Sequence, residues 1–144
     1  MFANPSLMTR IAIGKGIGFV IGLAGMLVIP VLMPEIGTMA RWGFLLWYTT
    51  FGAIIGIFGV FTWHPMLKLP MPWWFLSPFV GAWMNFVLTL LIHDRLAEFS
   101  AALFGAGSPF ASPFWFVAEG AVVGLVIGFA ATRAGGEGPE TAGR

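Results

Sequence analysis

The chain has 144 residues, of which 58% are hydrophobic and only 9% charged, with a formal net charge of +1 and no cysteine. A soluble domain carries about 25% charged residues, so this composition cannot coat a globule in water, and its surface must face lipid. The weak charge excludes a nucleic-acid partner, and the missing cysteine excludes a disulfide framework, a thiol nucleophile and a cysteine-ligated metal or iron–sulfur centre.

Met1 to Arg10 reads as a short polar lead-in. Ile11 to Met33 is the first apolar run. It is longer than the roughly 7–15-residue core of a signal peptide, and no A-x-A-like cleavage site follows, so it reads as an uncleaved transmembrane helix. Roughly 20 residues rising about 1.5 Å each cross the ~30 Å hydrocarbon core. Pro30 is expected to end or kink this helix and Pro34 to close it.

Glu35 to Arg41 reads as a polar turn, and Trp42 to Trp63 as the second span, with Trp42, Trp47 and Trp63 placed as interfacial anchors. His64 to Pro72, HPMLKLPMP, is a proline-rich connection that excludes regular helix. Trp73 to Ile92 is the third span, with Pro78 tolerated in its first turns. Leu96, Phe99 and Leu103 then fall at helical spacing before Gly105, which fits a C′ glycine. That segment is expected to be a short amphipathic helix at the interface, or an extension of the third span. Pro113 to Arg133 contains the fourth span, taken as residues 114–132, and Ala134 to Arg144 is Gly- and charge-rich and is expected to be disordered.

The fold class is therefore an all-α integral membrane protein. Residues 1–133 form one domain of four transmembrane helices, with spans at about 11–33, 42–63, 73–92 and 114–132 and a tail at 134–144. With both termini inside, the inner side holds Arg10, Lys15, Lys68, Arg133 and Arg144, and the outer side Arg41 and Arg95. Excess Lys and Arg marks the cytoplasmic side, which favours N-in, C-in topology. The expected location is the cell (inner) membrane.

Glycines recur every fourth residue in three spans: Gly14, Gly18 and Gly22; Gly52 and Gly56; Gly120, Gly124 and Gly128. Such rows let helix backbones approach closely in lipid, as packing faces of a compact bundle or, as a glycine zipper, of a homo-oligomer. The third span instead carries Ser77, Gly81, Asn85, Thr89 and His93 at the same spacing. Asn85 would be costly against lipid, so this row should turn inward.

Glu119 is the group best placed for chemistry, because an ionisable residue within a span is expensive to bury. Tyr48, Thr49, Asn85 and Thr89 lie at a similar depth and could join it in one polar cluster. The carboxylate reads either as a proton- or cation-binding group or as a polar pin for helix register. Lys15 should snorkel to the headgroups. His64 and His93 end different spans on opposite sides, so they cannot share a haem, and neither has the neighbours of a metal site. No cofactor or metal is expected. Arg95 and Glu98 form an i, i+3 pair beside Asp94 on a solvated face.

No catalytic constellation is present, so the chain reads as a non-enzyme. The leading expectation is a non-catalytic accessory or scaffold subunit that self-associates or binds a larger membrane complex, with lipid as its other partner. The alternative is a small oligomeric proton- or cation-coupled transporter or channel using Glu119.

Overall fold

Ser6 opens the first helix. Its hydroxyl accepts from the Thr9 backbone N–H at 3.3 Å, which satisfies one of the donors that a helix start leaves unpaired. In the computed structural model, which describes residues 5–143, this helix is α1 (Leu7–Leu32), and α2 (Thr38–Phe58), α3 (Trp73–Leu91), α4 (His93–Phe104) and α5 (Trp115–Gly135) follow. Among the described residues the secondary structure is helical apart from a two-stranded hairpin, β1 (Trp63–His64) against β2 (Leu69–Pro70). Among the described residues, α1, α3 and α5 are long and apolar enough to cross a membrane, which makes this a membrane protein. Helix α2 matches them in length, but Arg41, the threonines and the Trp47–Tyr48 pair dilute its apolar content.

Element boundaries differ from the sequence expectation where local caps decide. Helix α1 begins at Leu7 because Ser6 caps it, and it runs two residues beyond Pro30. Helix α2 takes in Thr38 to Arg41, which the composition suggests as turn, and stops at Phe58. Trp63 therefore stands in β1, outside the helix it was expected to anchor. The proline-rich connection folds as the hairpin, with Lys68 at φ 51° in its turn. Helix α4 is separate from α3 and ends at Gly105, whose φ of 87° suits glycine.

The tail needs correction. Residues 136–143 fold back over the helix ends instead of lying free. Gly138 N–H donates to the Gly59 carbonyl at 2.8 Å, Glu137 Oε2 accepts from the Trp73 N–H at 3.1 Å, and Thr141 is fully buried in a 3-10 turn, Pro139–Thr141. Polar, glycine-rich composition signals disorder only when the segment finds no partner for its polar groups, and here the end of α2 and the start of α3 supply them. Residues 1–4 of the lead-in, and Arg144, lie outside the described residues.

Helix α1 packs chiefly on α2 and α3 on α5, and α1 and α5 join the two pairs. Tyr48, Phe51, Ile55, Leu76, Val80 and Ile127 form the core between them. Within each pair the two helices meet backbone to backbone. A Cβ on Gly14 or Gly52 would strike the carbonyl of the other, and Gly81 and Gly120 face each other in the same way. A Cβ on Gly22 would lie 2.8 Å from the Leu45 carbonyl oxygen, and one on Gly56 would lie 2.7 Å from that of Arg10. Gly18 meets Tyr48, and Gly124 and Gly128 meet Ser77.

At one end of these pairs sits Arg10, wholly buried. Its Nε donates to the Gly56 carbonyl at 2.9 Å, and one terminal nitrogen donates to Thr132 Oγ1 at 3.0 Å and to the Gly136 carbonyl. Gly56 lies in the last turn of α2 and Gly136 caps α5, so one cation meets two helix C-termini, where unpaired carbonyls and the macrodipole both favour positive charge. Glycine at 59 is required for the same reason, since a Cβ there would collide with the guanidinium. Hydrogen bonds to charged groups contribute about 1.5–3 kcal/mol each when lost from a buried site. Arg10→Gln is therefore expected to lower stability by about 3 kcal/mol, read as a reduced thermal midpoint in mild detergent. Arg10→Lys should recover only part of the loss, because an ammonium cannot reproduce the planar fork.

Candidate functional site

Three helices converge on Glu119. Tyr48 of α2 donates its hydroxyl to Glu119 Oε2 at 2.8 Å, and Asn85 of α3 donates Nδ2–H to the same oxygen at 2.7 Å. Asn85 also donates to the Phe116 carbonyl of α5 at 2.9 Å and accepts at Oδ1 from Trp47 Nε1 at 3.1 Å. Asn85 thus uses both amide hydrogens and its carbonyl, and it is completely buried. Glu119 is half-buried, with one oxygen gripped by two donors.

The positions follow from helical spacing. Ser77, Gly81, Asn85 and Thr89 are all buried on α3, as their four-residue row suggests, and His93 at the end of the row is exposed. Gly120 turns towards Gly81 and Asn85, while Glu119, about 100° around α5, reaches across to α2. The glycine lets α5 come near enough to α3 for the short Asn85 amide to reach both the carboxylate and a main-chain carbonyl.

The five residues expected to cluster do not all do so. The structure brings Tyr48, Asn85 and Glu119 into direct contact. Thr89 is buried one turn below Asn85, but its hydroxyl donates to the main-chain carbonyl of Asn85 at 2.7 Å, an intrahelical bond that leaves it outside the side-chain cluster. Thr49 does not join: its hydroxyl turns back along α2 to the Leu45 carbonyl at 2.8 Å, an intrahelical bond that serine and threonine readily make. Trp47 belongs to the cluster in its place, although its spacing in the sequence suggests only an interfacial anchor. Its one N–H needs a partner once buried, and that is the signal by which it could be found.

The histidines and the exposed charges of α4 bond to near neighbours in sequence. His64 Nδ1 accepts from the Leu67 N–H at 3.0 Å, and His93 lies 3.2 Å from Asp94. The two stand at opposite ends of α3. Arg95 and Glu98 pair at 3.3 Å on exposed side chains. Lys15 is exposed. Among the described residues no group of three His, Cys, Asp or Glu side chains stands together.

Chemically, the arrangement holds a carboxylate in fixed orientation between helices, with two donors matched to one oxygen. Comparison with protein-family models, curated proteins and solved structures found no match to this chain.

A double-mutant cycle tests whether the cluster acts as a unit. Tyr48→Phe and Glu119→Gln should each destabilise the protein, and the double variant should cost less than their sum by about 0.5–3 kcal/mol, measured by thermal or denaturant unfolding in detergent. Thr49→Val, outside the cluster, should show no coupling to Glu119→Gln.

Proposed function

We propose that this protein is a small four-span integral membrane protein with both ends on the cytoplasmic side, serving as a non-catalytic accessory or scaffold subunit of a larger membrane assembly in the cell (inner) membrane. Helix α2 supplies the fourth span: its 21 residues extend about 31 Å, against a hydrocarbon core of ~30 Å, and it lies along α1 throughout. The Ser6 N–H donates to the Gly135 carbonyl at 2.9 Å, so the two described ends of the chain meet at one end of the helices. Arg10, Lys15, Lys68 and Arg133 belong to that end and Arg41 and Arg95 to the other, which supports N-in, C-in.

The observation that carries the accessory role is that the polar groups within the helices are spent on one another. Glu119 is held by α2 and α3, and Asn85 by α2 and α5. The outward faces are apolar and aromatic, with Phe19, Trp42, Trp74, Phe79, Trp83 and Phe129 all exposed. Lipid and partner helices are what such faces accept. The glycine rows are already occupied within the chain, so self-association would use these aromatic faces in place of a glycine zipper.

One observation favours the second reading, a proton- or cation-coupled transporter or channel: Glu119 is only half-buried, leaving a carboxylate within reach of a small cation. A single preparation separates the two. Purified in native nanodiscs, the tagged wild type and Glu119→Gln should both carry the same larger protein in fixed stoichiometry. Purification of the chain alone, with pH-dependent ion flux in liposomes that Glu119→Gln abolishes, would replace the accessory reading with the transporter.

A further inference from the structure

At the end of the helices away from Arg10, a groove of about 470 Å³ opens between the α1–α2 turn, α2, the end of α3 and α4. Its volume falls within the about 300–1,000 Å³ of small-molecule sites, which are mostly apolar with a few polar groups. The wall here is Ile36, Phe44, Leu88, Leu96 and Phe99, and Trp47 lines it from α2. Trp47 also donates to Asn85, so the groove and the Glu119 cluster share a wall. Two charged residues line the groove, Glu35 and Arg95, of opposite sign.

Both charges are available. The contact of Arg95 is with Glu98, in a pair whose side chains are 78% and 55% exposed, and water makes such a pair weak. Among the described residues no ion pair involves Glu35, which is exposed. Helix α4 turns Leu96 and Ser100 inward and keeps Asp94, Arg95 and Glu98 outside, the division expected of a helix lying at headgroup level.

We propose that this groove seats one zwitterionic phospholipid of the bilayer bearing a primary amine, phosphatidylethanolamine in kind. An acyl chain lies along the apolar wall, the phosphate meets the Arg95 guanidinium, and the ammonium meets the Glu35 carboxylate. A guanidinium suits phosphate because it can offer two parallel N–H donors. The carboxylate sets the headgroup class: a glycerol headgroup has no cation to place there, and a choline head has no N–H to donate. The inference rests on the four-span reading, which puts this end of the helices at the headgroups.

Native mass spectrometry of the full chain released from nanodiscs of equal phosphatidylethanolamine, phosphatidylcholine and phosphatidylglycerol tests it. The expected result is one retained lipid per chain, with the ethanolamine class favoured about tenfold, the value of one charge-assisted hydrogen bond. Gly43 lines the groove, and a Cβ on it would meet open space. Gly43→Leu should therefore fill the groove and remove the adduct without lowering the thermal midpoint. Glu35→Gln should equalise the three lipid classes, whereas Arg95→Gln should reduce retention of all of them. Both alter exposed side chains, so they decide the matter should Gly43→Leu prove unstable. Equal retention of the three lipids by the wild type, an undiminished adduct in Gly43→Leu, or a dimer that covers the groove and holds no lipid would each overturn the proposal. Labelling of Glu35→Cys and Lys68→Cys from either side of the membrane reports the four-span reading separately from lipid retention.

Discussion

Gly14 faces Gly52 and Gly81 faces Gly120, each pair so close that a methyl group on one would strike the carbonyl of the other. This approach of backbones is the constraint from which the other packing follows. Between helices in lipid there is no hydrophobic gain to drive association, because the tails are as apolar as leucine. What remains is dispersion between well-fitted surfaces and hydrogen bonding across them, and both fall away quickly with distance. A row of glycines shortens that distance along the whole contact instead of at one point.

The rows do not stop at glycine. Ser6 and Arg10 continue the Gly14–Gly18–Gly22 row towards the start of α1, and Thr132 and Gly136 continue the Gly120–Gly124–Gly128 row past the end of α5. Where the two rows run out, Arg10 bonds to Thr132 and Gly136 and, across α2, to the carbonyl of Gly56. Near the opposite end of the same contacts, Gly120 sits against Asn85, and the Asn85–Glu119–Tyr48 bonds tie α3, α5 and α2. Close backbones allow short polar side chains to reach main-chain carbonyls, and those bonds in turn hold the backbones close. The geometry explains why one long cation and one carboxylate are tolerated in a chain with so few charges: each is hydrogen-bonded by groups of complementary polarity from other helices.

Some of this was legible in the residues alone. Asn85, Glu119 and Tyr48 share a depth once the helices are laid across a bilayer, and each is too polar to face lipid, so their convergence follows from cost. Thr49 has the same depth but a cheaper partner in its own helix, which no depth argument can reveal. Trp47 carries a single donor on a large apolar ring, and whether that ring faces lipid or a neighbour depends on rotation about the α2 axis. Arg10 is the larger omission. It looks like a flanking charge because it precedes an apolar run, yet its register with the glycine row already placed it on the packed face. The tail misleads for a related reason: its glycines and charges resemble a disordered segment until the ends of α2 and α3 are brought beside it.

Composition determined that the chain meets lipid through its surface, because 9% charged residues cannot solvate a globule of this size. Four-residue spacing determined which faces of α1, α3 and α5 could be buried, because that periodicity is a property of the helix itself. Tertiary structure alone decided that the glycine faces are consumed within one chain, that Arg10 is buried beneath the ends of two other helices, that residues 136–143 are held, and that a groove with one acid and one base opens beside α4. Each of these depends on which helix lies next to which, and at what rotation. Spacing along one helix carries no information about its neighbour, since the same apolar face packs equally well against lipid, a second copy or another helix of the same chain.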